Sequence, residues 1–154
     1  MKTTPNLTDL PDNTFWRISV KALIFDTNNR LLVFMDKHHE WELPGGGWEN
    51  GETFEQCVKR ELVEEVRATV VSVGDPVFCY SGKYHFRWDE TMKWYPKVSI
   101  AVRVTLNDSK IVPTGDDLIE VRYVTKEEFL QLPFQHGEDS VKERVEKIWL
   151  PEQG

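Results

Sequence analysis

The sequence predicts an α+β domain in which helices cover a mixed sheet. Two observations carry this. Apolar and polar residues alternate in several short runs, whereas one central segment repeats its apolar residues every four positions. The order along the chain is strands, a helix, more strands and a final helix, which suits a layered domain built on one core.

Residues 1–14 hold Pro5, Asn6, Pro11 and Asn13 without periodicity and read as an irregular arm, leaving 15–151 as a single domain. From Phe15 the pattern changes: Trp16, Ile18, Val20, Ala22 and Ile24 alternate with Arg17, Ser19 and Lys21, which marks a strand. Asp26-Thr27-Asn28-Asn29 is a turn, and Leu31 to Met35 reads as the returning strand of a hairpin. Lys37 to Glu40 is a polar loop. Thr53 to Val66 is the helix, begun by Thr53 and carrying Phe54, Val58, Leu62 and Val66 along one face. Strands are expected at Thr69 to Val73 and at Pro76 to Tyr80. Val98, Ile100, Val102, Val104 and Leu106 alternate cleanly with Ser99, Ala101, Arg103 and Thr105, so this strand should be central. Ile119 to Val124 forms a further strand, Lys126 to Gln131 a helical turn, and Ser140 to Leu150 a last helix closed by Pro151.

With 154 residues, 40% of them hydrophobic, the chain can bury a core without disulfides or a structural metal. Its formal charge of −7 disfavours sequence-independent binding to long nucleic acid, which depends on Lys and Arg neutralising phosphates. Cys57 and Cys79 form neither a disulfide framework nor a C-x-x-C metal pair, and both read as buried thiols. Residues 1–14 lack an apolar leader core, and no run of about 18 apolar residues occurs, so a soluble cytoplasmic protein without membrane contact is expected.

The chemistry gathers on the central helix. At about 100° per residue, Glu61 and Glu65 project within the face set by Phe54, Cys57, Val58, Leu62 and Val66, and Glu64 lies on its border. Inward carboxylates are costly without cations or hydrogen-bond donors, and three so close together repel. A divalent metal compensates them, and oxygen ligands favour Mg²⁺ or Mn²⁺ over Zn²⁺. The competing reading is an acidic helix with solvated glutamates. Neighbouring residues argue against it: Gly45-Gly46-Gly47 lets backbone approach a ligand and exposes carbonyls, and Arg60 offers a fork for carboxylates.

Gly46, Glu52, Arg60, Glu61, Leu62, Glu64 and Glu65 stand at the spacings of the Nudix box, and the segment from Gly46 to Ala68 resembles that signature. A chance match at these positions is on the order of one in a million from average residue usage. Trp41-Glu42-Leu43-Pro44 also resembles the family's lead-in. One position departs. Where the family has glycine, this chain has Arg67, and a positive φ there costs a non-glycine residue about 1 kcal/mol or more. A different helix end, one turn later, is the expectation.

The resemblance implies an α/β/α sandwich with the mixed sheet between helices, and hydrolysis of a nucleoside diphosphate linked to another group. It implies metal ligation by Glu61, Glu64, Glu65 and the Gly46 carbonyl, with Glu52 and Arg60 in support. For the general base it leaves Glu61, Glu120, or Asp117 in the loop Gly115-Asp116-Asp117 open. For those three acidic-loop and strand positions, Asp116, Asp117 and Glu120, a solvated turn before a strand is the competing account.

Beyond the box, Tyr84, Phe86, Trp88, Trp94 and Tyr95 alternate with Lys83, His85, Arg87 and Lys93, a pattern that suits base stacking and phosphate contacts, or equally an ordinary hairpin core. Tyr84, Arg87 and Trp94 are therefore substrate candidates, with Arg17 and Lys21 as further phosphate candidates and His38 and His39 as surface residues. The expected partner is a small nucleotide derivative, and a homodimer is the assembly left open. Two other functions compete: removal of pyrophosphate from the 5′ end of RNA, and a sensing module that binds a nucleotide or sugar phosphate without turnover.

Overall fold

The computed structural model describes residues 16–84, 95–107, 111–135 and 140–151. The expected N-terminal arm lies outside them. Among the described residues, seven strands and three helices follow in the order β1 (Arg17–Leu23), β2 (Leu31–Asp36), β3 (Trp41–Glu42), β4 (Gly45–Gly47), α1 (Phe54–Val66), β5 (Val70–Tyr84), β6 (Tyr95–Leu106), β7 (Leu118–Val124), α2 (Lys126–Gln131) and α3 (Ser140–Ile148).

The strands form two sheets. The first is mixed, in the order β4-β1-β6-β5, with β1 and β6 parallel and the outer pairs antiparallel. The second, β3-β2-β7, is antiparallel. On one side, Val20, Ala22, Val102 and Val104 of the first sheet meet Cys57, Val58, Leu62 and Val66 of α1, with Leu32 and Phe34 of β2 completing the cluster. On the other side, Leu23, Tyr80 and Ala101 meet Leu31, Val33 and Val124, and Phe129 of α2, Val141 and Val145 of α3 and Trp149 just after it cover them. Helices thus flank the sheets, the layered α+β sandwich read from the sequence.

Three expectations about strands need correction. The hairpin between the first two strands exists only at its tip, where Leu32 N–H donates to the Ile24 carbonyl at 2.9 Å; β1 and β2 then part into different sheets. Consecutive residues Leu31 to Phe34 are all buried, their side chains feeding the two clusters in turn, so β2 needs cover on both faces and cannot stay as an edge on β1. The strands expected at Thr69 to Val73 and Pro76 to Tyr80 are one, β5, which absorbs Gly74 and Pro76 by register shifts along β6. Cys79 is exposed on β5, because Tyr80 beside it takes the inward position.

The central helix begins as read. Thr53 accepts the Gln56 N–H, and the Gln56 side chain accepts the Thr53 N–H in return, closing a capping box. It does not run one turn further. Arg67 itself turns left-handed at φ 51°, its N–H reaching the carbonyls of Leu62 and Val63, so the helix stops where a glycine would stop it.

Candidate active site

The Gly-rich strand β4 brings backbone against acids. Gly45 holds φ at 119°, and a Cβ there would sit 2.2 Å from the Val20 carbonyl oxygen, so only glycine fits beside β1. At Gly46 a Cβ would fall 2.5 Å from the Glu61 Cδ, so the missing side chain is what lets that carboxylate lie on the backbone. Gly47 does the same for Arg17, whose guanidinium crosses directly over it.

Arg60 organises the outer acids. Its Nε and Nη2 donate to Glu52 at 2.6 and 3.1 Å, its Nη1 to Glu61 at 2.9 Å and to Glu64 at 3.4 Å, and Nη2 also reaches the Gly47 carbonyl at 2.9 Å. The hydrogen bond from Arg60, against some desolvation, holds Glu52 below the usual carboxylate range; the Glu49 N–H adds to it. The same bonds push Arg60 up, so it stays charged. Beneath this, the buried Cys57 thiol lies 3.5 and 3.7 Å from the Gly47 and Gly46 carbonyls. Burial pushes it up to about 11, with the Glu52 and Glu61 charges acting the same way, so it is an inert neutral donor.

Glu65 sits deepest. Burial raises its carboxyl well above the ordinary range, and the Glu42 charge adds to this; the Lys21 ammonium and the 3.2 Å hydrogen bond from Gly45 N–H work against it. Lys21 is itself buried, and its three protons meet Glu42 at 2.7 Å and the carbonyls of Leu43 and Gly45 at 3.1 Å each. Lys21 is therefore a staple that fixes the approach to β4, and the expectation that it contacts a phosphate is withdrawn.

These groups line a groove of about 510 Å³, within the usual range for small-molecule sites. The lining brings together Glu61, Glu64 and Glu65 of α1, Arg17, Ser19 and Lys97 of the first sheet, Asp36, Glu40 and Glu42, and Asp116 and Asp117. The loop bearing these last two docks on α1: Thr114 N–H donates to the Glu65 carbonyl at 2.8 Å and its hydroxyl to the Glu64 carbonyl at 3.0 Å. A larger cavity, about 860 Å³, lies between the Asp26 to Arg30 turn and Trp149, away from these acids. The groove holds the chemistry.

A NUDIX domain model matches residues 16–145. The chain belongs to the Nudix family. An RNA pyrophosphohydrolase of Vibrio cholerae serotype O1 is 32% identical over 116 residues, 65% of this chain and 63% of that protein. One from Vibrio vulnificus YJ016 is 43% identical over 61 residues, 38% of this chain and 34% of the relative. The chain thus spans about a third to under two thirds of these relatives' lengths. Among solved structures, the E. coli dihydroneopterin triphosphate pyrophosphohydrolase superposes with a TM-score of 0.66 at 17% identity, covering 86% of this chain and 94% of that one. An ADP-ribose pyrophosphatase from Streptococcus suis gives 0.63 at 14%, covering 89% and 94%. At such identities the likeness is one of fold.

The Nudix box is folded into one unit, with Gly46, Glu52, Arg60, Glu61, Glu64 and Glu65 all at the groove or bonded to its wall. Among the described residues, no three acidic, His or Cys side chains already converge as a closed metal cage. Arg60 draws Glu61 and Glu64, while Gly45 N–H holds Glu65. The donor set nevertheless suits a hard divalent ion: the Glu61 carboxylate lies against the Gly46 backbone, and the Glu65 carboxylate carries an electrostatic cost that a cation would relieve. Glu120 is not part of the groove lining; it lies on β7 opposite Met35, 3.7 Å from Arg122. Tyr84 ends β5, opposite Tyr95. Arg87 and Trp94 fall outside the described residues. His38 lines the groove, although its loop reads as surface.

The sequence reading missed Ser19, Lys97 and Ser99. All three are buried, at 4%, 5% and 0% exposure, on the polar side of alternating strands. A strand covered on one face would bury only its apolar side. Both sides of this sheet are covered, and a pair of polar residues spaced by two on a strand that should be central was the available signal.

Proposed function

We propose that this Nudix domain hydrolyses the diphosphate linkage of a nucleoside diphosphate derivative with the aid of Mg²⁺ or Mn²⁺. The observation that carries the reading is Glu65, a partly buried carboxylate that lines one groove together with Glu61, Glu64 and Gly46. These four groups would hold the metal. When bound, a divalent ion offsets charge on phosphoryl oxygens and makes water a stronger nucleophile at neutral pH. Arg60 keeps Glu52, Glu61 and Glu64 oriented, and Lys21 fixes the glycine strand against which they rest. For the proton from the attacking water, Glu61 is the first candidate. Asp117 is the alternative ahead of Glu120, since Asp117 lines the groove and Glu120 does not.

Phosphate release from nucleotides, nucleotide sugars and dinucleoside polyphosphates with Mg²⁺ or Mn²⁺ tests the reading. Turnover of at least one class is expected, and Glu65→Gln should lower it more than tenfold; full activity in that variant would remove Glu65 from the metal site.

The similarity to proteins called RNA pyrophosphohydrolases supports a second substrate reading, the triphosphorylated 5′ end of RNA. Comparing such an RNA with the matching free nucleotide separates the two. A folded protein that binds nucleotide tightly and turns over nothing would instead be a sensor.

A further inference from the structure

Helix α1 ends one residue after Glu65, so the carbonyls of Glu64 and Glu65 are among the last four, which no N–H inside the helix can reach. The turn that follows does not serve Glu64 either. Arg67 N–H reaches Val63 at 3.0 Å, and Ala68 N–H turns back to Leu62 at 3.2 Å. One residue from elsewhere in the chain meets both acids: Thr114 donates its N–H to the Glu65 carbonyl at 2.8 Å and its hydroxyl to the Glu64 carbonyl at 3.0 Å. Thr114 is exposed, so burial does not account for a threonine there. The hydroxyl does, because a backbone N–H alone can close only one of the two carbonyls.

Helix ends fray, and a side chain moves with the backbone that carries it. The three acids of α1 differ in what resists this. Glu61 lies a turn earlier, and Arg60 holds its carboxylate at 2.9 Å. Glu64 is mostly exposed and meets Arg60 only at 3.4 Å, while the Glu65 carboxylate accepts a 3.2 Å bond from Gly45 N–H. The acids nearest the fraying end thus have the longer side-chain bonds, and Thr114 supplies short backbone ones. Its own segment is anchored in turn: Asp117, three residues on, receives Lys37 N–H on its carbonyl at 2.9 Å and the Lys37 ammonium on its carboxylate at 2.8 Å.

We propose that Thr114 is a positioning residue of the metal site: its hydroxyl and N–H close the last turn of α1 and so hold Glu64 and Glu65 in the arrangement that binds a divalent cation. This rests on the hydrolase reading for the role of Glu64 and Glu65 as metal ligands.

The test measures Mn²⁺ binding to the full chain by the electron-spin signal of the free ion, without substrate. Thr114→Val keeps the shape and the N–H and removes the hydroxyl; its Mn²⁺ affinity should fall at least fivefold. Thr114→Ser restores the hydroxyl and should bind within twofold of the native protein. A merely structural threonine would lower the melting temperature of Thr114→Val and leave the Mn²⁺ affinity of the folded protein in place. A smaller loss in folded Thr114→Val, or a serine variant that binds no better than the valine one, overturns the assignment. So does native protein that binds no Mn²⁺. If Thr114→Val does not fold, Thr114→Ala set against Thr114→Ser carries the same two outcomes. Hydrolysis of the nucleotide panel is scored separately. Mn²⁺ binding with serine rescue but no turnover overturns the hydrolase reading and supports the role of Thr114, whereas turnover with unchanged Mn²⁺ affinity in Thr114→Val does the reverse.

Discussion

At the scale of single residues, Glu65 and Arg67 both sit where an isolated chain would not choose to put them. In metal-free protein the folded state holds the Glu65 proton more tightly than the unfolded chain does. Stability is therefore undiminished below the ordinary Glu value of 4.5, and falls as pH rises through it to the raised folded value, above which the full cost of a buried carboxylate is present. Urea denaturation in EDTA should show Glu65→Gln more stable than the native protein at pH 8 and equal to it near pH 4. Adding Mg²⁺ should stabilise the native protein and leave the variant largely unmoved, since a ligand stabilises only the state that binds it. A native protein no less stable at pH 8 than its variant would contradict the buried charge. Arg67 pays for its left-handed φ of 51°, and among the described residues its side chain makes no hydrogen bond or ion pair to explain it. Arg67→Gly should raise the unfolding free energy by up to about 1 kcal/mol, read by the same denaturation, with activity unchanged.

At the scale of elements, β4 is where packing and chemistry meet. Gly46→Ala would force its new methyl onto the Glu61 carboxylate, which is anchored by Arg60. We expect turnover to drop more than tenfold while stability falls by only about 1 kcal/mol, because Gly46 is half-buried and the carboxylate can swing outward. Steady-state kinetics beside a melting curve would show the split, and equal losses in both would mean that β4 itself had collapsed. The helix next to it was legible in the sequence. Its four-residue apolar spacing, its capping Thr53 and the inward Glu61 and Glu65 are local properties, set within a turn or two. The partner of each strand was not local. Nothing between Ile24 and Leu31 says that β2 will leave β1, because that choice depends on β7 and β3, which come to either side of it from elsewhere. For the same reason the sequence does not single out Lys97 and Ser99: a two-residue period shows that a strand has two faces and cannot show that both are covered.

At the scale of the whole molecule, a net charge of −7 surrounds a groove that is itself rich in carboxylates. Long RNA ending in a 5′ hydroxyl should show no retardation with this protein at about 0.15 M salt, since nothing replaces the counterions that a basic surface would release. Tight binding of such RNA would mean that a local basic surface outweighs the net charge. Among the described residues no helix is long and apolar enough to cross a membrane. The two sheets are joined across the groove by the Thr114 loop, which is tied at one end to the last carbonyls of α1 and at the other to β2, through the hydrogen bond from Lys37 N–H to the Asp117 carbonyl at 2.9 Å. Spreading the walls would therefore have to break the two Thr114 bonds and the Lys37 bond, so the width of the cleft is set by three hydrogen bonds on one short loop.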